Sequence, residues 1–353
     1  MSSPSFASII IDWQQKYGRK DLPWQGLSDA YRVWLSEIML QQTNVKTVTR
    51  YYDKFLESFP DVMTLAGATE DEVLKRWSGL GFYRRARNLL KAAKIIAEER
   101  GGVFPHRFND LVSLPGVGRS TAGAIMAFAF GQKYAILDGN VKRVLTRFHL
   151  IQEPVSSPKI IKRLWDISEH HLPNYEIGIY TQGLMDLGAT VCTPSSPHCQ
   201  LCPISVDCQA LSVSKTSEIP VRPITKKPPL RKINYLVLID RGMIMLERRP
   251  SEGIWGGLLS FPEFLTHLNM LRFLETHSDH ESFSVIQLKP ILHKFSHFQL
   301  QITPFKVLLP STVRKESFSH GSWFPLEEIA SQAVPVPVRK LIDLYFLPNI
   351  EAK

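Results

Sequence analysis

Leu114-Pro115-Gly116-Val117-Gly118-Arg119-Ser120-Thr121-Ala122 joins a short helix, expected from about Asn109, to a second helix of small residues. The Pro-Gly-x-Gly turn ends the first helix, and its glycines let backbone come close to a ligand. The free N–H groups that open the second helix, aided by its dipole, suit a phosphate. An ordinary turn between two helices carries the same local signature, so the flanking chain decides between them.

On both sides of this turn the chain is helical. Phe6, Ile9, Ile10, Trp13 and Tyr17 form one 3.6-residue-period face. Similar patterns predict helices over 30–43, 46–58, 70–77, 84–99, 119–131, 139–149, 158–171 and 175–190, with breaks at Pro23, Pro60, Gly101-Gly102, Pro115-Gly116 and Pro173. Residues 1–212 are therefore expected to form one all-α domain. Residues 213–230, with four prolines among Ser, Thr and Lys, are expected to be a basic linker in extended, polyproline-like form. Residues 231–353 change character. Strands are predicted over 233–239, 243–247, 284–292, 297–308 and 320–324, and helices over 263–277 and 336–346, which makes a small α+β domain.

A chain of 353 residues fits two domains at about 150 residues each. Hydrophobic residues make up 44% and charged residues 21%, so each domain has enough apolar side chain for a core. No run of about 18 apolar residues occurs, and neither an export signal nor a membrane span is expected. The expected location is the cytoplasm. The net charge of +9 points to an anionic partner, with nucleic acid first. Residues 215–232 hold six Lys or Arg and one Glu, and so carry +5 of it.

Three further features bear on chemistry. All four cysteines fall in Cys192-x6-Cys199-x2-Cys202-x5-Cys208; without an export signal they suit metal ligation better than disulfides. Zinc and an iron–sulfur cluster both fit that spacing. Asp138, in Ala135-Ile136-Leu137-Asp138-Gly139-Asn140-Val141-Lys142-Arg143, follows an apolar run at the mouth of a helix. It is read either as a plain N-cap or as a carboxylate kept ionised by the helix terminus. Glu37, in Trp34-Leu35-Ser36-Glu37-Ile38-Met39-Leu40-Gln41-Gln42-Thr43, interrupts an apolar helical face. A carboxyl there is poorly solvated, and a raised pKa would make it a general acid. The alternative is a Glu that is hydrogen-bonded or reaches the surface.

The Leu114–Ala122 turn resembles the helix-hairpin-helix of DNA-binding proteins. With Asp138 about 20 residues later and the terminal cysteines, the order resembles the endonuclease III superfamily of DNA glycosylases. The resemblance implies a 4Fe–4S cluster rather than zinc on Cys192, Cys199, Cys202 and Cys208. Glycosylase/lyase members carry a nucleophilic lysine two residues beyond the last hairpin glycine, where this chain has Ser120; without that amine no Schiff base forms there. Glu37 in its segment, Trp24 in Leu22-Pro23-Trp24 and Gly79-Leu80-Gly81-Phe82-Tyr83 instead resemble the adenine DNA glycosylases, over nearly the whole chain. These act on adenine mispaired with 8-oxoguanine, or guanine, in duplex DNA.

That likeness implies roles. Glu37 and Asp138 are the catalytic pair and Asn140 orients them. Trp24 and Gln182 line an adenine pocket. Gln41, Gln42, Phe82, Tyr83, Gly116, Gly118, Ser120 and Lys142 face DNA. Phe82 stands where the family usually has Tyr, which keeps the stacking surface of a wedge and drops the hydroxyl. Ile254-Trp255-Gly256-Gly257-Leu258-Leu259-Ser260-Phe261-Pro262 resembles the segment before the catalytic helix of Nudix hydrolases, but the acidic magnesium box is missing from 263–277. A recognition module without pyrophosphatase activity is expected, with Phe295, Ser296 and His297 reaching 8-oxoguanine. The expected architecture is an all-α helix-hairpin-helix glycosylase domain with a 4Fe–4S cluster, followed by a Nudix-like α+β domain. The expected protein is a monomer on double-stranded DNA, with a clamp or repair partner left open. A glycosylase/AP lyase and a non-catalytic zinc-containing DNA-binding protein remain the alternatives.

Overall fold

The computed structural model describes residues 5–221, 227–277, 283–313 and 315–346. Two compact units form, Met1–Ala68 with Arg84–Thr225, and Thr69–Tyr83 with Lys226–Lys353.

The helices run α1 (Phe6–Tyr17), α2 (Ala30–Leu40), α3 (Val45–Ser58), α4 (Val62–Gly67), α5 (Glu70–Trp77), α6 (Arg84–Arg100), α7 (Phe108–Val112), α8 (Arg119–Phe130), α9 (Gly139–Phe148), α10 (Pro158–His170), α11 (Ile177–Asp186) and α12 (Gln209–Ser212). All but α5 belong to the first unit. Their starts follow the capping chemistry. Ser5, Asp29, Asn44, Asp61, Thr69 and Asp138 each accept from a backbone N–H three residues on, which satisfies an otherwise unbonded donor of the first turn. Capping by Asp61 accounts for α4, a short helix not expected from periodicity.

The first core gathers Ile10 of α1, Ile136 and Leu137, Val141 and Leu145 of α9, Leu164 of α10, and Tyr180 and Leu184 of α11. Gly123 matters to that core, because a Cβ there would meet Ala135 O at 2.4 Å. Only glycine lets the 132–137 segment lie against α8, and that segment delivers Asp138. Beyond α11, one π-helical turn, Leu187–Val191, leads into the cysteine loop.

Residues 213–221 depart from the expected polyproline-like linker. They form turns, with Lys215 N–H bonded to Ala210 O at 2.8 Å. Ile219 is buried, and its carbonyl accepts from Arg147 Nε at 2.8 Å. The buried Arg147 guanidinium needs acceptors, and this segment supplies one. Residues 222–226 of the expected linker lie outside the described residues, as do the ends of the two expected domains, 1–4 and 347–353.

The second unit is built on β1 (Leu230–Asp240), β2 (Met243–Arg248), β3 (Leu259–Ser260), β4 (Glu263–Phe264), β5 (Val285–Gln287), β6 (Ile291–Lys294), β7 (Gln299–Leu308) and β8 (Ser322–Pro325), with helices α13 (His267–Thr276) and α14 (Val336–Tyr345). β1 and β7 pair in parallel from Leu230↔Gln299 to Ile239↔Leu308, and the other pairings are antiparallel. One core holds Leu236, Leu238, Met245, Met270, Leu274, Phe305, Val307 and Phe318. The helix expected over 263–277 begins at His267, because Thr266 caps it and Glu263–Phe264 pairs with Asn234–Tyr235 of β1. The strand expected over 284–292 is interrupted before Ile291, where Pro290 offers no N–H to a ladder.

Among the described residues, no helix is long and apolar enough to cross a membrane.

Candidate active site

In the first unit one cavity of about 760 Å³ is lined by Glu37, Asp138, Asn140, Trp24 and Gln182, among others. The two carboxyls expected to work together do share a chamber. Glu37 comes from the middle of α2, between buried Ser36 and Ile38. Apart from its opening to the cavity it is enclosed, and burial, helped by the charge of Asp138, pushes it up to about 8. A carboxyl in that range keeps its proton at neutral pH.

Asp138 is both an N-cap and a cavity residue. Its Oδ1 accepts from Val141 N–H at 2.7 Å, and its Oδ2 accepts from Asn140 Nδ2 at 3.3 Å. The expectation that the helix terminus holds its pKa down needs correcting. Burial raises it, against the N–H donors of Val141 and Asn140 and the positive charge of Arg143. Both carboxyls are raised by burial, and the Asp138 charge adds to the rise of Glu37. Only Asp138 has donors and a cation that favour its ionised form, the N–H groups of Val141 and Asn140 and the charge of Arg143, which suits one acid beside one carboxylate.

Ser120 sits behind Asp138. Its Oγ accepts from Leu137 N–H at 3.0 Å, so it anchors the segment that carries the carboxylate. Arg143 links the same helix to the cysteine loop, donating to Asn140 Oδ1 at 2.9 Å, Gly188 O at 2.5 Å and Cys192 O at 2.7 Å. Trp24 is buried and meets the Tyr52 ring edge-on at 5.3 Å.

At the hairpin, Gly116 has φ +83 and makes the turn. Gly118 differs: its φ is −92 and a Cβ there would meet nothing within 4 Å. Neither conformation nor packing requires glycine at 118, and the space beside it is open. Gln41 donates to Gly116 O at 3.2 Å and Thr121 Oγ1 at 3.3 Å, bracing the turn rather than pointing outward. Gln42 is exposed with φ 55. Buried Arg85 fixes that exit, donating to Ile38, Met39 and Gln41 carbonyls and to Thr43 Oγ1. It takes up the carbonyls that end α2.

Lys142 does not line the cavity. It faces a neighbouring hollow with Gly139, Pro194, Ser217 and Glu218. Of the two aromatics expected at DNA, Phe82 is 50% exposed with φ 49. Tyr83 is buried, and its hydroxyl accepts from Gly79 N–H at 3.4 Å; its place is inside the fold, holding the Gly79–Gly81 turn.

The four cysteines are unpaired and line a single separate cavity. Among the described residues no three His, Cys, Asp or Glu side chains are gathered tightly enough for one metal ion, so the fit rests on four sulfurs facing one space. Burial raises Cys202 to about 12 and raises Cys208 as well. Such thiols ionise only against a cation, which a bound metal group supplies. Arg147 Nη1 lies 3.2 Å from Cys192 Sγ.

In the second unit Ser296 and His297 are exposed at the tip between β6 and β7, where Phe295 N–H bonds Phe298 O at 2.9 Å. Aromatics brace the tip: Phe295 stacks on Phe298 at 4.4 Å, and Trp255 lies 5.2 Å from Phe295 and 5.3 Å from His293. Phe295 is thus a support for the tip more than a part of its surface. Arg85, Arg143 and Arg147 escaped the sequence reading. Their helical neighbours are mixed, Arg143 standing among Gly139, Asn140, Thr146 and Arg147, so no local pattern marked them.

Residues 35–170 match the HhH-GPD superfamily of base excision DNA repair proteins, and residues 234–344 match the NUDIX domain. The adenine DNA glycosylase of Buchnera aphidicola subsp. Acyrthosiphon pisum is 38% identical over 97% of this chain and 98% of its own length. That of Mus musculus is 30% identical over 97% of this chain and 78% of its own. Among solved structures, a thermostable thymine-DNA glycosylase superposes with a TM-score of 0.54 at 30% identity, over 59% of this chain and 95% of that one.

Proposed function

Since this chain belongs to the adenine DNA glycosylases, enzymes of base excision repair, we propose that it removes adenine mispaired with 8-oxoguanine, or with guanine, in duplex DNA. The observation that carries the reading is that Glu37, raised by burial, and Asp138 line one cavity. A base buried in a duplex must be flipped out to reach such a chamber. Trp24 and Gln182 then flank the adenine. Glu37 gives its proton to N7, which turns the base into a better leaving group. The N-glycosidic bond breaks with oxocarbenium character, and Asp138 stabilises the cation, as one carboxylate does in retaining glycosidases. Glu37, now ionised, takes a proton from the attacking water. Asn140 holds Asp138 through its 3.3 Å bond.

DNA is gripped at Gly116 and Gly118, with Gln42 and Phe82 as the groups entering the stack. Ser120 offers no amine, and its hydroxyl is committed to Leu137, which favours hydrolysis without strand cleavage. The protein acts as a monomer on chromosomal DNA in the cytoplasm.

On the same reading the four cysteines hold a 4Fe–4S cluster. What supports it is the convergence of the four sulfurs on one cavity. When bound, the cluster ties the 192–208 loop together. Anaerobically purified protein should contain iron and acid-labile sulfide in equal amounts. Zinc in their place would point to the alternative structural site.

The second unit is read as the recognition module for 8-oxoguanine, with Ser296 and His297 at the base edge. Replacing both with Ala should lower the preference for adenine opposite 8-oxoguanine over adenine opposite guanine. A lost base-edge pair corresponds to about 1–3 kcal/mol, or roughly 5- to 150-fold. Single-turnover excision from the two duplexes measures the ratio, and an unchanged ratio removes the tip from recognition. The proposed activity itself is tested by comparing adenine release opposite 8-oxoguanine, guanine and thymine. Release should be fastest in the first and slowest in the last, without nicking until alkali is added.

A further inference from the structure

Asp186, the last residue of α11, is fully buried. Its Oδ1 accepts from Arg19 Nε at 2.8 Å, Arg19 Nη2 at 2.5 Å and Gln182 Nε2 at 2.9 Å. Its Oδ2 accepts from Arg19 N–H at 2.9 Å and Gln14 Nε2 at 3.1 Å. Gln182, Arg19 and Gln14 line the cavity shared by Glu37 and Asp138, whereas Asp186 lies behind them and lines none of it.

A carboxylate accepts hydrogen bonds and donates none, so an amide facing it must present its NH2 end. Gln182 is therefore held with Nε2 turned toward Asp186 and Oε1 left for the cavity. Gln14 shows how strong this constraint is. It too keeps Nε2 on Asp186, although its own Oε1 is then buried without a donor. Arg19 holds both oxygens, its guanidinium on Oδ1 beside Gln182 and its backbone N–H on Oδ2, and keeps the carboxylate from turning.

The orientation matters because of what a purine displays. Adenine presents the N6 amine, a donor, beside N7, while guanine and hypoxanthine present an oxygen, an acceptor, at the same place. A glutamine free to turn serves either group. One whose NH2 is pinned cannot turn over: its second N–H stays beside the oxygen, and Oε1 keeps one place, where it pairs with the amine and opposes the oxygen. We propose that Asp186 is a positioning residue that locks the Gln182 amide so that the pocket admits adenine and rejects purines with oxygen at C6. This rests on the reading of Gln182 as a pocket residue.

The test is single-turnover excision from duplexes carrying adenine or hypoxanthine opposite 8-oxoguanine. In Asp186→Asn, whose amide can face Gln182 either way, the adenine-to-hypoxanthine rate ratio should fall about tenfold, the scale of one neutral hydrogen bond. Gln182→Leu should lower the ratio as well, and adding Asp186→Asn to it should change the ratio no further. Arg19→Lys keeps the charge and loosens the grip on Asp186; it should move the ratio in the same direction, and it serves if Asp186→Asn does not fold. If Asp186→Asn or Arg19→Lys slows both substrates equally, Asp186 has a structural role only and the lock is wrong. If Gln182→Leu leaves the ratio unchanged, Gln182 does not read the base and the premise of the lock is gone.

Discussion

In Glu37→Gln the single-turnover rate constant for adenine release falls by about 10²- to 10⁴-fold, the range a positioned general acid supplies. Affinity for the mispaired duplex stays near that of the unaltered protein, because Gln keeps the shape and the hairpin is untouched. The same change should make the protein more stable. Glu37 is raised from 4.5 to about 8 in the folded chain, so between those values the folded state holds a proton that the unfolded state releases. Stability is therefore lost as pH rises through that window, and a neutral Gln escapes the loss. The gain is on the order of 3 kcal/mol at pH 7 and about 1 kcal/mol at pH 5. Urea unfolding at the two pH values measures it. A variant less stable than the parent at pH 7 would mean that Glu37 is solvated or paired, as the alternative reading of the sequence had it.

Asp138→Asn has an effect of similar size for a different reason. Asn caps a helix about as well as Asp, so α9 and its bond to Val141 survive. What disappears is the negative charge facing the developing cation, and loss of one such electrostatic partner costs about 10²- to 10³-fold in rate. A second consequence separates this role from mere capping. The Asp138 charge is part of what raises Glu37, so the alkaline limb of the residual activity should move to lower pH. A residual rate close to that of the unaltered protein would leave Asp138 as an N-cap and nothing more.

What was legible in the sequence is what neighbouring residues determine. Glu37 stood out because a carboxyl in an apolar stripe has nowhere to be solvated, and the structure leaves it half-buried, facing the cavity. The hairpin was legible from Pro115, Gly116 and Gly118, whereas Ser296 and His297 came only from the family resemblance, and His297, expected within a strand, stands ahead of β7. What long-range contacts decide was not legible. The Asp186 carboxylate is bonded by Arg19 and Gln14, 167 and 172 residues away, and nothing near Asp186 announces them. Residues 213–221 read as linker because their anchor, Arg147, lies 72 residues upstream of Ile219. The direction of the Asp138 shift depends on how much protein covers it, which no local pattern records. Tyr83 stands beside an exposed aromatic, and only its burial shows that it faces inward.

The central claim is that a Glu37 held neutral by burial delivers the proton that releases adenine. The pH dependence of single-turnover excision from an 8-oxoguanine:adenine duplex, at saturating protein, tests it most directly. The rate constant should be flat up to about pH 8, where Glu37 loses its proton, and fall about tenfold per pH unit above it. A rate constant that stays level or rises from pH 7 to pH 10, in protein still bound to the duplex, would contradict the account.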